Sequence, residues 1–521
     1  DSTKSLYELN FDQSLNTNSK TFKIMSKPFY ITTPIYYVND KPHIGHAYTT
    51  ILADVLARFH RNNGQETFFL TGLDEHGQKV QQAAEERGVE AQEHCDEMAP
   101  RFTELWEQLH ISNDDFIRTT EERHKNVVRD ILQQVMDKGD IYEAEYEGLY
   151  SVSEERFITE KEAESGDFRD IKKLKEKNYF FKMGKYQQKL IDHIDSNPKF
   201  IQPEHRKNEI LGFLRKPLND LCISRPKSRL NWGIELPFDS NYVTYVWFDA
   251  LINYISSLGY GTDEASFKKW WPASYHLIGK DILTTHAVYW PTMLMSLGIE
   301  LPQSIFAHGW WLMGESKMSK SLGNVINPMD LIDDYGVDPV RYYLMREMVL
   351  GQDSNFTMES FIQRYNSDLA NDFGNLLSRV STLMKKNYDG KIPDPGELTD
   401  VEATIKLNGE SLGEKVNEKI EGMRLNEAIE EIMQYIRSVN KYMEATAPWK
   451  LVKDDKDAAG RVLYTAGEAL RIGAVLLSPV MPNRTAILLD VLNAKGTDLS
   501  WGGLTPGNEL KNHEPLFPRM N

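Results

Sequence analysis

The sequence predicts an α/β fold: a doubly wound parallel sheet, split by an insertion over residues 140–242 and followed by an all-helical unit. Three observations carry this. An apolar run, a helix-periodic segment and a second apolar run make one strand–helix–strand unit between Phe29 and Leu70. Short apolar runs return after Val243, each followed by a helix pattern or by chemically conspicuous residues. From about Gln363 to Asn521 the pattern is almost wholly helical.

Taken in order, residues 1–26 are polar and contain no arginine, so they read as a tail rather than an Arg-rich, acid-poor presequence. The strand Phe29 to Thr33 then hands over, at Pro42-His43-Ile44-Gly45-His46, to a helix from about Ile44 to Arg61. In that helix Ala47, Ile51, Val55 and Phe59 recur every fourth position, with Leu52 and Leu56 beside them, which gives one apolar stripe to lay on a sheet. Asn62-Asn63-Gly64 ends it. A second strand, Thr67 to Leu70, follows by a right-handed crossover, so both carboxyl ends lie on one edge. Two imidazoles at a helix N-terminus on that edge suit an anion, because the first-turn N–H groups are free and the dipole is positive there. Gly45, lacking Cβ, lets a flat ligand approach the backbone.

Thr71-Gly72-Leu73-Asp74-Glu75-His76-Gly77 comes next, again at a carboxyl end. Asp74 there serves either a substrate amine or the cap of the following helix. Helical patterns fill Lys79 to Lys138, completing a first half over 27–139. The insertion is aromatic-rich and charged, with strands at Tyr146 to Phe157 and Asn178 to Lys182, and it closes over Leu221 to Pro237. A second half over 243–315 carries Val243 to Phe248, a strand at Tyr275 to Gly279, a helix from Asp281 to about Leu297 and a strand at Ser304 to His308. Residues 316–362 hold the run Lys317-Met318-Ser319-Lys320-Ser321 and a short mixed segment. Helices at Leu369 to Lys386, Val401 to Met423, Asn426 to Tyr442, Ala458 to Leu477 and Pro482 to Leu492 make an antiparallel bundle over 363–521.

At 521 residues the chain is too long for one core and implies three or four domains. Its 40% hydrophobic and 26% charged residues are those of a soluble globular protein, and no run is long enough to span a membrane. Cys95 and Cys222 stand far apart in no paired spacing, which argues against a disulfide framework and fits a reducing compartment. The net charge of −17 means that any nucleic-acid partner must meet a local basic face.

Together, the His43-Ile44-Gly45-His46 and Lys317-to-Ser321 stretches resemble the HIGH and KMSKS signatures of class I aminoacyl-tRNA synthetases. The resemblance implies a Rossmann-type catalytic domain split by a connective peptide, a stem-contact segment at 316–362 and an anticodon-binding bundle. It implies activation of an amino acid by ATP with Mg²⁺, with His43, His46, Lys317 and Lys320 catalytic, and Gly45, Gly279, Asp281, Met318 and Ser319 completing the ATP contacts. The donors and cations of that set fit attack of a carboxylate on a phosphate, where charge must be stabilised rather than a nucleophile generated.

Residue by residue, Ile35, Tyr37, Trp247, Ala250, Leu251, Tyr254, Ile282 and His286 match the side-chain pocket of the methionine-specific members, with Asp74 on the α-amino group. Aromatic edges favour a thioether by roughly 0.3–1.5 kcal/mol. Many members carry a Cys-x-x-Cys zinc knuckle after Gly-Leu-Tyr. Here Ser151 and Glu154 occupy those positions after Gly148-Leu149-Tyr150, so no structural zinc is expected. In the bundle Asn375, Arg379 and Trp449 match anticodon readers, although on the residues alone they fit equally a hydrogen bond, a surface charge and a core aromatic. The implied partners are L-methionine, ATP and tRNA(Met), initiator tRNA included, for a monomer in the cytoplasm, with the mitochondrial matrix as the alternative. Another class I synthetase, or a non-catalytic RNA binder of this fold, are the rival readings.

Overall fold

The computed structural model describes residues 26–313 and 326–521, with the backbone of a two-residue strand at Ser316–Lys317. Residues 1–25 of the expected tail, the Lys317 side chain and Met318, Ser319 and Lys320 lie outside the described residues.

Six strands form the central sheet: β1 (Phe29–Tyr37), β2 (Thr67–Asp74), β3 (Asp115–Arg118), β4 (Ile201–Gln202), β5 (Tyr275–Gly279) and β6 (Ile305–His308). Their order is β3-β2-β1-β5-β6-β4, and every neighbouring pair is parallel. The order reverses between β1 and β5, which opens a crevice beyond their carboxyl ends. β1 is buried on both faces from Phe29 to Pro34, as a sheet covered by helices on both sides requires. Its register against β2 slips between Thr32 and Ile35, next to Pro34, which has no N–H to give the ladder.

Helix α1 (Ile44–Asn62) begins and ends within one residue of the expected bounds. It is buried almost all round from Ala47 to Ala57, because a second layer covers the face turned away from the sheet. That layer includes α4 (Val337–Glu347). α4's Arg341 is fully buried and donates to Asp54 of α1 at 2.6 Å. Between them in sequence run α2 (Gln78–Arg87) and α3 (Glu122–Asp137).

Residues 141–244 build two small antiparallel sheets, and the same stretch of chain contributes β4 to the edge of the central sheet. The single strand expected from Tyr146 to Phe157 is two, Ile141–Ser151 and Arg156–Ile158. Ser151 breaks the run: its Oγ accepts from Glu154 N–H at 3.3 Å, and Glu155 turns the chain with φ +52°. The helix expected from Asp281 is likewise broken into a 3₁₀ turn (Lys280–Ile282), a π-helical turn (Thr285–Tyr289) and an α-helix (Trp290–Leu297). Pro291 lacks the N–H that a continuous ladder would need there.

The C-terminal part is the expected bundle: α5 (Asn375–Asn387), α6 (Asp400–Glu421), α7 (Leu425–Thr446), α8 (Lys456–Leu477) and α9 (Pro482–Val491). No described helix is long and apolar enough to cross a membrane.

Candidate active site

His43 is the N-cap of α1, with extended backbone (φ −130°, ψ 179°). Its Nδ1 accepts from Gly45 N–H at 3.0 Å, while Nδ1 of His46 accepts from His43 N–H at 3.2 Å. This is a capping box made of two histidines. Both Nδ1 lone pairs are therefore used, so each neutral ring carries its hydrogen on Nε2. Burial, with His43 beside it, holds His46 well below the ordinary histidine range, and the ring is a neutral donor at pH 7. The rings lie 4.0 Å apart.

The glycine between them has a reason that the sequence alone hides: a Cβ on Gly45 would meet His43 Cε1 at 2.8 Å. Gly45→Ala is expected to push the His43 ring off its cap and to slow activation by roughly 10- to 100-fold, as a misplacement of about 1 Å does. Thermal stability is expected to fall far less; the comparison of exchange rate with melting temperature checks it.

β2 ends in Asp74, which pairs in register with Tyr37 at the end of β1. Asp74 does not cap the next helix. The N-cap of α2 is Gly77, and the N–H groups of Gln78 and Lys79 are capped by Glu155 Oε1, at 2.5 and 3.3 Å. Asp74 Oδ1 is buried and has no hydrogen-bond partner. Burial, then the charges of Asp249 and Glu155, raise its carboxyl well above the usual range. A buried acceptor without a donor is costly, and an ammonium group would relieve it.

Asp74 opens into a cavity lined by Pro34, Ile35, Tyr37, Trp247, Ala250, Leu251, Asn253, Tyr254 and His286. Eight of the nine residues expected to hold the amino acid thus meet in one place. The ninth, Ile282, stands behind: its carbonyl accepts from His286 Nδ1–H at 3.0 Å. His286 Nε2 then accepts from the Tyr254 hydroxyl at 2.7 Å. Burial pushes His286 down to about 4, so a neutral imidazole faces the apolar cavity.

Several supporting residues were not found from sequence. Asp249 accepts from His76 Nδ1–H and His124 Nε2–H, both at 2.7 Å, and so clamps the Val246–Ala250 helix to the Asp74 loop and to α3. Burial alone would raise Asp249, but the two imidazoles hold it below the carboxylate range. Asn253 lines the cavity with Oδ1 unpartnered. At the end of β6, His308 gives its Nδ1 hydrogen to Gly309 O at 2.8 Å and accepts from Thr49 of α1 at 2.7 Å. Asp249, Asn253 and His308 sit inside apolar runs, where a polar residue reads as satisfied core.

Gly279 and Asp281 lie at the end of β5. A Cβ on Gly279 would meet Asp281 Oδ1 at 2.6 Å, and that oxygen accepts from Trp310 Nε1–H at 3.2 Å. The backbone of Lys317 pairs with Leu312, and that of Ser316 with Met313. Ser151 and Ser153 share a hydrogen bond at 3.0 Å in the turn where a knuckle would form. Among the described residues no three His, Cys, Asp or Glu converge at metal-ligand spacing.

In the bundle, Asn375 is exposed at the start of α5, and Arg379 follows one turn on. The Arg379 guanidinium lies 5.1 Å above the half-buried Trp449 ring and pairs with Glu444 at 2.8 Å. The ring is held at a helix break, after Ala447 with φ +43° and Pro448. Asn375 and Trp449 are thus neither a buried hydrogen bond nor a core aromatic.

The family model for class I tRNA synthetases (M) matches residues 29–166 and 163–381, and that for the anticodon binding domain of methionyl tRNA ligase matches 392–516. The methionine–tRNA ligase of Clostridium tetani is 47% identical over 507 residues, covering 95% of this chain and 79% of the relative. That of Bacillus subtilis is 44% identical over 520 residues, covering 94% and 78%. The solved structure of Mycobacterium tuberculosis methionyl-tRNA synthetase in complex with methionyl-adenylate superposes with a TM-score of 0.91 at 41% identity, covering 95% of this chain and all of that one. With the two histidine donors, the buried carboxylate of Asp74 and the aromatic cavity on one sheet edge, these likenesses establish that the chain belongs to the methionine–tRNA ligases, class I aminoacyl-tRNA synthetases.

Proposed function

We propose that the protein binds L-methionine in the cavity beneath Asp74, activates it with ATP to methionyl-adenylate, and transfers the methionyl group to the 3′-terminal adenosine of tRNA(Met), initiator tRNA included. The observation that carries the site assignment is the convergence of seven pocket residues around the buried carboxylate of Asp74, whose Oδ1 has no hydrogen-bond partner, next to two Nε2–H donors.

Asp74 takes the ammonium, and Ile35, Tyr37, Trp247, Ala250, Leu251, Tyr254, Ile282 and His286 enclose the thioether. The methionine carboxylate then attacks the α-phosphorus, and pyrophosphate leaves. Negative charge builds on the phosphate oxygens, and the groups suited to meet it are the Nε2–H donors of His43 and His46, with Lys317, Ser319 and Lys320 of the loop. Gly45, Gly279, Asp281 and Met318 would complete the nucleotide's contacts. Mg²⁺ would arrive with ATP and would neutralise part of the phosphate charge. A zinc-free monomer working in the cytoplasm is the simplest form of this reading. Treatment with a zinc chelator is expected to leave charging unchanged.

Asn375, Arg379 and Trp449 are proposed to read the CAU anticodon, with Trp449 stacking on an unstacked base at roughly 1–3 kcal/mol. Arg379 already holds the ring in place from one side. Trp449→Ala is therefore expected to lower kcat/KM for charging tRNA by roughly 5- to 150-fold, while methionine-dependent pyrophosphate exchange stays as in the unsubstituted protein. Equal losses in both assays would place Trp449 in the core instead.

A further inference from the structure

We infer that Glu155 is a positioning residue for methionine, and that through it the 141–244 segment governs the amine end of the pocket. The inference rests on the proposed methionine site. Glu155 belongs to none of the motifs, and it stands in the turn between two strands of an antiparallel sheet. Yet it is only 4% exposed and its side chain crosses to the central domain.

There the carboxylate makes two kinds of contact. Oε1 accepts from Gln78 and Lys79 N–H, supplying the cap that Gly77 cannot give α2. Oε2 accepts from the hydroxyl of Tyr37, a pocket wall, at 3.4 Å. The loop from Asp74 to Gly77 is thus pinned at its far end by a residue from another part of the chain. Gly77 itself has φ +100°, and a Cβ there would meet Glu155 Oε1 at 2.9 Å, so the loop is shaped around this carboxylate.

The other end of Glu155 is held as firmly. Its backbone is left-handed at φ +52°, a conformation that a non-glycine residue keeps only when its surroundings enforce it. Here Arg225, 2% exposed, donates Nη2–H to the Glu155 carbonyl and Nε–H to the Tyr150 hydroxyl at 3.1 Å. The arrangement is a strut: Arg225 fixes the turn, the turn fixes Glu155, and Glu155 fixes Tyr37 and the loop that carries Asp74.

The test is pyrophosphate exchange with methionine and ATP varied separately. Glu155→Ala is expected to raise the methionine KM about tenfold, the loss of one hydrogen-bonding charged group, with the ATP KM and kcat within about twofold. The amino alcohol of methionine, which keeps the ammonium but not the carboxylate, should lose inhibition by the same factor. Glu155→Gln retains an acceptor for the two N–H groups and is expected to stay within about threefold of the unsubstituted protein. If the alanine variant does not fold, Glu155→Asp, too short to reach both partners, takes its place and should raise the methionine KM likewise. An unchanged methionine KM in a folded variant, or losses spread equally over methionine, ATP and kcat, overturns the inference. No exchange by the unsubstituted protein would instead overturn the methionine site on which it rests.

Discussion

Replacing Lys320 with alanine is expected to lower the rate of methionine activation by about 10²–10³-fold, the usual loss for one donor aimed at transition-state charge. The reason lies in what the described part of the site supplies and what it does not. His43 and His46 are locked by their own backbone as neutral donors, and burial keeps His46 neutral. They can hold phosphate oxygens, but they bring no full positive charge to the oxygens that become more negative as pyrophosphate leaves. Lys317, in the strand Ser316–Lys317 that pairs with Leu312 and Met313, and Lys320, three residues on in sequence, are the groups proposed to bring it. Because Lys320 is not assigned to the amino-acid pocket, the methionine KM should change little while kcat falls. Near-normal exchange by the alanine variant would contradict the assignment.

Arg341→Ala is expected to destabilise the protein by about 3–5 kcal/mol, the cost of breaking a fully buried ion pair from one side. Its guanidinium donates to Asp54 Oδ2 at 2.6 Å, Pro479 O at 2.8 Å, and Leu109 O and Val480 O at 2.9 Å. Removing it strands three buried carbonyls and leaves Asp54 to Arg58 and Ser112, which donate to it at 2.6 to 2.8 Å. Asp54 belongs to α1, the helix that His43 caps and that carries His46 in its first turn, whereas Pro479 and Val480 lie in the turn between two bundle helices. One side chain therefore joins α1, α4 and the bundle. Thermal or denaturant unfolding measures the loss. A melting temperature equal to that of the unsubstituted protein would mean that water replaces these bonds at little cost.

Much of this was legible before the structure, and the reasons differ from residue to residue. α1 was placed within a residue because a long stripe and an Asn-Gly stop agree. The pocket residues were found because the family resemblance named their positions, not because their pattern differs from that of core. Long-range polar contacts leave no such trace. Nothing in the sequence near Glu155 points to Gln78, 77 residues away, and nothing near Arg341 points to Asp54, 287 away. β4 went unseen for another reason: two residues, Ile201 and Gln202, are too few for an alternating pattern to register. The break at Ser151 was missed because a hydroxyl turn inside a run of aromatic residues looks like more strand.

The most direct test of the methionine assignment is ATP–pyrophosphate exchange with each of the twenty amino acids in turn, zinc omitted. Exchange driven by methionine alone is the expected result, and it would establish the reaction, the substrate and the dispensable metal together. Exchange driven by a different amino acid would contradict the pocket around Asp74, and exchange with none would contradict the activation chemistry assigned to the histidines and the lysine loop.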